Sequence, residues 1–426
     1  MQQYTISGSA LKETTIQLPA SKSISNRALI IRALAGEGPL PENLSDCDDT
    51  KVIIKALREK PDIVDIGAAG TAMRFMTAYL AATADNDRPV LITGTERMRH
   101  RPIGILVEAL RQLGANIEYA GEEGFPPLRI RGRHLKGGPL EISGSVSSQY
   151  ISALLMIGPM LANGLELKMK GDIISRPYID LTLWTMREYG AKADWTAGDT
   201  VSVKPCPYTP RPYYIESDWS SASYWYEMLA LCPDPFVKLR LTGLADGSRQ
   251  GDSVTRFIFS LLGVKTTFER KGAGVPTTVT LQKNSMRTPR LDYDFINSPD
   301  LTQTFVVTCC AMGIPFHFKG LRSLKIKETD RIEALKTEFQ KLGYVIKSVN
   351  DEELIWDGER CKPTGTSIDT YEDHRMAMSF APMALCGKSV TINNPQVVSK
   401  SYPAFWSDLQ KAGMVIDGIE QHTNNE

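Results

Sequence analysis

Two kinds of apolar patterning alternate along the chain. In the first, apolar residues recur every three or four positions, and the run closes on a glycine before an alternating stretch. It appears as Arg111-Gln112-Leu113-Gly114-Ala115 and Arg187-Glu188-Tyr189-Gly190-Ala191, then around Leu262-Gly263-Val264, Lys341-Leu342-Gly343-Tyr344 and Lys411-Ala412-Gly413-Met414. This predicts amphipathic helices capped by a C-terminal glycine, each followed by a strand. The five glycines stand 70 to 80 residues apart. That period exceeds common solenoid units and predicts a repeated unit of two helices and several strands.

The second kind is apolar nearly all round and follows a polar or glycine-rich loop. It covers residues 25–35, 71–82, 149–161, 221–231, 301–312 and 376–385. A helix apolar on every face is buried. Six such helices predict six units, and hence two lobes of three. The first unit is short. Its amphipathic helix, 49–59, ends at Lys60-Pro61 without the glycine, and the remaining interval to Gly114 predicts a missing strand pair. The Pro- and Tyr-rich stretch 205–212 marks a break between lobes.

Composition changes this picture little. At 426 residues the chain exceeds one ordinary core. Its net charge of zero argues against a broad nucleic-acid footprint. Apolar runs are too short for a bilayer, and residues 1–5 carry no apolar signal core, so no membrane partner is expected. Seven scattered cysteines without a CxxC pair predict reduced thiols and a cytoplasmic protein. The polar tail, residues 421–426, is expected to fray.

The loops opening the helices carry the candidate chemistry. Lys327-Glu328-Thr329-Asp330-Arg331 packs four charges into five residues. Asp330 suits a helix N-cap, whereas cations there oppose the helix dipole, so Lys327 and Arg331 read as placed for an external anion. A solvated, salt-bridged helix entrance is the plainer alternative. Ser21-Lys22-Ser23-Ile24-Ser25-Asn26-Arg27 offers hydroxyls and two cations suited to a phosphate, or simple capping. Gly67-Ala68-Ala69-Gly70-Thr71 allows close backbone approach, or is only a tight turn. Ser145-Val146-Ser147-Ser148-Gln149 and Ser175-Arg176-Pro177-Tyr178 repeat the hydroxyl-rich pattern. Asp218-Trp219-Ser220-Ser221 and Ser298-Pro299-Asp300 read as acidic caps. Asp373-His374-Arg375 and Lys400-Ser401-Tyr402-Pro403 complete the set. No GxSxG, HExxH or GxGxxG motif occurs. Many cations and hydroxyls with few carboxylates suit two small anions held together. Two like charges 4 Å apart repel by about 4 kcal/mol at an effective dielectric near 20, which cations from both lobes would offset on closure.

In this order the motifs resemble the 5-enolpyruvylshikimate-3-phosphate synthase family over essentially the whole chain. The resemblance implies a mixed α/β (α+β) fold of two lobes, each with three βαβαββ units around buried parallel helices. It implies lobes of 1–19 plus 216–426 and of 20–215, with the segment 4–18 crossing as a strand and the active site in the cleft between them. The implied reaction joins phosphoenolpyruvate to the 5-hydroxyl of shikimate 3-phosphate and releases phosphate. Carried over by motif, Lys22, Ser23, Arg27, Ser147, Ser148, Gln149, Ser175, Tyr178, Asp300, Ser323 and Lys327 would hold shikimate 3-phosphate. Lys22, Gly70, Thr71, Arg101, Gln149, Arg331, Arg375 and Lys400 would hold phosphoenolpyruvate. Lys22, Asp300, Lys327, Glu328 and His374 would carry the chemistry. A monomer without metal or cofactor is implied, with glyphosate competing against phosphoenolpyruvate.

Four features depart from the family pattern. Ala68 stands where Asn is usual, Ser323 where Asn is common, and Phe75 replaces a usual proline, which could shift the Gly70 loop. The fourth is the shortened first unit. A UDP-N-acetylglucosamine enolpyruvyl transferase is the nearest alternative; it usually carries a reactive Cys or Asp in the loop that here reads Thr95-Glu96-Arg97-Met98-Arg99-His100, which has no Cys. A non-catalytic anion-binding relative is the other.

Overall fold

The apolar helices form the centre of two separate cores. In the computed structural model, residues 1, 9, 37, 133, 270, 271, 273, 366 and 420–426 fall outside the described part, which includes the tail expected to fray. The chain divides into one unit of Met1–Pro19 with Ser217–Glu426 and another of Ala20–Glu216.

The Ala20–Glu216 unit is built on the helices Lys22–Leu34, Gly70–Thr83 and Ser148–Ile157. Two four-stranded sheets cover them. One runs Ile63–Asp65, Val90–Thr93, Leu128–Arg131, Asn116–Tyr119, and the other Gly138–Ser143, Leu165–Lys170, Thr200–Val203, Ala193–Ala197. In each, the first two strands are parallel and the rest antiparallel. The parallel pair needs a crossover, and an apolar helix supplies it. Along Leu165–Lys170, Leu165, Leu167 and Met169 are buried while Glu166, Lys168 and Lys170 are exposed. This period of two puts one face on the helices and leaves the other in water.

The second unit repeats the plan on Trp219–Leu231, Thr302–Met312 and His374–Phe380. It carries three four-stranded sheets. The segment 4–18, expected as one strand, is two strands in different sheets. Gln3–Ser7 lies antiparallel between Val390–Asn393 and Val415–Asp417. Thr14–Gln17 pairs parallel to Lys238–Ala245.

Six repeats would carry six sheets, yet five are present among the described residues. The first repeat loses more than the expected strand pair. Its sheet is reduced to one parallel bridge, Glu42 with Tyr214, closed by Glu42 N–H to Tyr213 O at 2.8 Å and Ile215 N–H to Glu42 O at 3.0 Å. Its amphipathic helix, Asp48–Glu59, runs almost directly into the strand Ile63–Asp65. The other five amphipathic helices close as expected, with Gly114, Gly190, Gly263, Gly343 and Gly413 at φ between +88° and +103°. In the shortened repeat Lys60 takes this place at φ 45°, ψ 54°, where its Cβ crowds the carbonyl. Lys60→Gly should therefore stabilise the protein by about 1 kcal/mol, read as a higher urea midpoint at unchanged slope; an unaltered midpoint would count against the strain.

Candidate active site

Arg331 is the first residue of the helix Arg331–Lys341, capped by Asp330, whose side chain accepts from Glu333 N–H at 3.2 Å. Its side chain is 1% exposed and turns inward, not to solvent. Nε donates to Asp373 Oδ2 at 2.7 Å, Nη1 to Asp300 Oδ1 at 3.0 Å, and Nη2 to Glu328 Oε2 at 3.0 Å and Asp373 Oδ1 at 3.3 Å. Three segments distant in sequence thus meet on one guanidinium.

Asp300 stands on the turn before the helix Thr302–Met312, and Asp373 caps His374–Phe380 by accepting from Arg375 N–H at 2.9 Å. Arg375 reaches back to Asp300 Oδ2 at 2.9 Å, and Lys327 lies 3.3 Å from Asp300 Oδ1. Burial alone would raise the Asp300 carboxyl, but Arg375, Lys327 and Arg331 together hold it well below the usual carboxylate range. The same acids, led by Asp373, outweigh burial at Arg331 and raise its guanidinium. Arg375 Nη1 also donates to the Tyr224 hydroxyl at 3.3 Å, which burial keeps neutral. His374 is 3% exposed, with Nδ1 3.9 Å from Asp373 Oδ1. Lys400 donates to the carbonyl of Glu372 at 2.7 Å, and Ser323 lies on the short helical turn Arg322–Ile326 just before Lys327.

The other unit gathers a second set. Lys22 Nζ lies 3.2 Å from Asp49 Oδ2, and Asp49 Oδ1 accepts from Thr71 N–H at 3.0 Å. Gln149 Nε2 donates to Thr71 Oγ1 at 3.3 Å, and Ser147 caps the helix that carries Ser148 and Gln149. Gly70 lies against two guanidinium ends: an added Cβ would stand 2.6 Å from Arg74 Nη1 and 2.7 Å from Arg101 Nη1, so a side chain here would displace them. Ser175 holds a left-handed φ of 56° immediately before Arg176-Pro177-Tyr178. Arg27 is turned into the bundle. It donates to Thr182 Oγ1 at 2.7 Å, Ser23 O at 2.9 Å, Ser152 Oγ at 3.0 Å and Tyr178 O at 3.2 Å. Burial lowers its guanidinium to about 10 against a small opposing contribution from Tyr178. Phe75 is wholly buried with its ring 5.4 Å from the Arg27 guanidinium, so it faces the core beneath that residue. Ala68 is exposed on a turn held by Gly67 N–H to Asp65 Oδ1 at 2.9 Å.

Two parts of the site escape a reading of the sequence. Few carboxylates were expected, yet Asp300, Glu328 and Asp373 match Lys327, Arg331 and Arg375 one for one. Asp373 caps its helix, and its bond to Arg331 needs the fold. Asp252 and Asp49 carry no local signal; each reads as a helix-start residue. Asp252 is 2% exposed, accepts from Ser220 Oγ through Oδ2, and leaves Oδ1 without a hydrogen-bond partner.

Residues 7–59 and 58–409 match the family model for EPSP synthase (3-phosphoshikimate 1-carboxyvinyltransferase). A 3-phosphoshikimate 1-carboxyvinyltransferase of Bacteroides fragilis is 57% identical over 414 residues, covering 97% of this chain and 98% of the relative. One from Haemophilus influenzae is 34% identical, covering 96% and 99%. The solved EPSP synthase of Acinetobacter baumannii shares the fold at a TM-score of 0.76 and 21% identity, covering 98% of this chain and all of that one.

Asp252 gives the cluster a pH signature. Burial, aided by Asp300 and opposed by Arg375, pushes its carboxyl up to about 7. The folded protein then keeps a proton that the unfolded chain releases near 3.8, so this group lowers stability as pH rises from 3.8 to about 7. Asp252→Asn should remove that slope and melt several degrees above the parent at alkaline pH. Thermal melts across this range check it, and an unchanged slope would contradict the assignment.

Proposed function

Because this chain belongs to the EPSP synthase (3-phosphoshikimate 1-carboxyvinyltransferase) family, we propose that it transfers the enolpyruvyl group of phosphoenolpyruvate to the 5-hydroxyl of shikimate 3-phosphate. The observation that carries this assignment of roles is the balanced cluster on Arg331, where ionised acids and cations are stored against one another. Lys22, Ser23, Arg27, Ser147, Ser148, Gln149, Ser175, Tyr178 and Ser323 hold shikimate 3-phosphate in this reading. Arg101, Arg331, Arg375, Lys400, Thr71 and the Gly70 backbone hold phosphoenolpyruvate, with Lys22 and Gln149 touching both substrates.

The bond changes follow from those roles. Asp300, with Lys327, takes the proton of the 5-hydroxyl as its oxygen bonds to C2 of phosphoenolpyruvate. Glu328, freed from Arg331 by the arriving anion and protonated from solvent, delivers that proton to C3, giving a tetrahedral intermediate. The C2–O bond to phosphate then breaks and C3 returns its proton, leaving the enolpyruvyl ether and phosphate. His374, at the start of the Arg375 helix, supports the departing phosphate. Cations stabilise the charge that grows on that phosphate, and holding two anions in attack geometry supplies much of the rate. Asp300 is a weak base while three cations hold its pKa down. An arriving anion draws Arg375 and Arg331 toward itself, which relieves that depression and makes Asp300 more basic.

The seven cysteines are free thiols, which supports the cytoplasmic, reducing location expected of this activity. Among the described residues no helix is long and apolar enough to cross a membrane. We read the working form as a monomer, the state the family resemblance implies.

Phosphate release is the test. It should occur with phosphoenolpyruvate plus shikimate 3-phosphate and not with UDP-N-acetylglucosamine as acceptor. Glu328→Gln should lower turnover by about 10²- to 10⁴-fold while leaving shikimate 3-phosphate affinity near the parent value. Release only with the nucleotide sugar would reassign the acceptor. Binding without release would favour the non-catalytic relative.

A further inference from the structure

One face of the helix Arg331–Lys341 presents two buried charges two turns apart, Arg331 at its start and Glu338 near its end. Both grip the segment 369–375. Arg331 holds Asp373 as described. Glu338 Oε1 accepts from the Tyr371 hydroxyl at 2.5 Å, and its Oε2 from Asp369 N–H at 3.2 Å. Lys341 neutralises this end, with Nζ 2.9 and 2.8 Å from the two Glu338 oxygens and 2.8 Å from Asp369 Oδ2. Asp369 in turn accepts from Asn393 Nδ2 at 2.6 Å, and Asn393 from Gln3 Nε2 at 2.8 Å, so the anchor is rooted in the sheet.

Between the two grips the chain turns sharply. Asp373 N–H reaches Thr370 O at 2.8 Å, and the two residues inside that turn, Tyr371 and Glu372, have φ of 52° and 57°. Two successive positive φ values are the pattern of a type I′ turn, which ordinarily takes Asn or Gly. Tyr and Glu are strained there and persist only where their surroundings over-determine them. This turn sets the direction of two cations at once. The carbonyl of Glu372 receives Lys400 Nζ at 2.7 Å, and Arg375 follows three residues later as the second residue of its helix. Burial, with the hydrogen bond to Glu338 adding to it, raises the Tyr371 hydroxyl above its usual range, so it remains a donor across the physiological range.

The geometry points to Glu338 and Tyr371 as positioning residues for the anion-binding cations, holding the strained Tyr371-Glu372 turn so that Lys400 and Arg375 face phosphoenolpyruvate. This rests on the assignment of Lys400 and Arg375 to that substrate. Neither Glu338 nor Tyr371 touches substrate in this account; each acts through the turn.

A double-mutant cycle tests it. Tyr371→Phe deletes one hydrogen bond to a charged group and should raise KM for phosphoenolpyruvate about five- to tenfold, with kcat and KM for shikimate 3-phosphate near parental values. Lys400→Met should raise the same KM by more. In the double variant the effects should be less than additive, because the tyrosine acts partly through Lys400. Glu338→Gln, which keeps an acceptor but loses the charge, should show the same selective rise. Circular dichroism and thermal melting establish that each variant is folded. If Lys400→Met raises KM but Tyr371→Phe and Glu338→Gln, both folded, do not, the positioning role is overturned and the substrate assignment stands. Additive effects overturn it likewise. If Lys400→Met leaves KM for phosphoenolpyruvate unchanged, the assignment of that cation fails and the positioning role falls with it.

Discussion

The candidate site depends on a single buried guanidinium. Arg331 is 1% exposed, and taking an ion of that kind out of water costs several kcal/mol even after relaxation. Asp300, Glu328 and Asp373 offset that cost through four hydrogen bonds. The acids in turn cannot spare the arginine, since removing one partner from a buried pair typically costs about 3–5 kcal/mol. Asp300 precedes one apolar helix and Asp373 caps another, so the ion cluster and the helix packing fix each other. Chemistry and fold share residues here, and the site is assembled only when the helices are.

The balance of that cluster bears on how anions enter it. Lys327, Arg331 and Arg375 face Asp300, Glu328 and Asp373, leaving no net charge, while Asp252 sits beside them with its carboxyl pushed up toward neutrality. A cluster already neutral does not attract an anion by net charge alone. In the proposed reaction an entering substrate competes with the carboxylates for shared cations, and Asp300, once released, loses the field that holds its carboxyl down. In that proposed reaction the anion that takes the cation also makes Asp300 the base.

Much of this was legible in the sequence. The glycine-closed amphipathic helices and the all-round apolar ones depend on local periodicity, and the structure keeps both. Lys327 and Arg331 announced themselves because cations at a helix N-terminus oppose its dipole, whereas Asp300 read only as a cap and its role, like that of Glu328, came from the family resemblance. Asp252 and Asp49 gave no such signal, because their partners are tertiary: Asp49 meets Lys22 and Thr71 only after two helices pack. The first repeat was legible as short, but not that its sheet would shrink to a bridge, since strand pairing is non-local and a three- or four-residue strand leaves little pattern. The segment 4–18 misled for the same reason. Its alternation persists across a break, and only the pairing partners divide it.

Backbone strain separates scaffold from site in the same way. Where the five full amphipathic helices need a left-handed residue, glycine supplies it at no steric cost. Other left-handed positions among the described residues are Asn43, Asn350, Asp351 and Asn394, types that tolerate it. That leaves Lys60, Ser175, Tyr371 and Glu372. Lys60 belongs to the repeat that lost its sheet, where a surface helix end has little to constrain it. The other three lie in loops that open the Tyr178 helix and the Arg375 helix. A left-handed conformation costs a non-glycine residue about 1–2 kcal/mol. Relief by a single substitution to glycine is available at each, but it would delete the Ser175 hydroxyl or the Tyr371 anchor to Glu338. At Tyr371 the strain accompanies a side chain with a partner to hold, Glu338, whereas glycine supplies the left-handed residue where the five full amphipathic helices end.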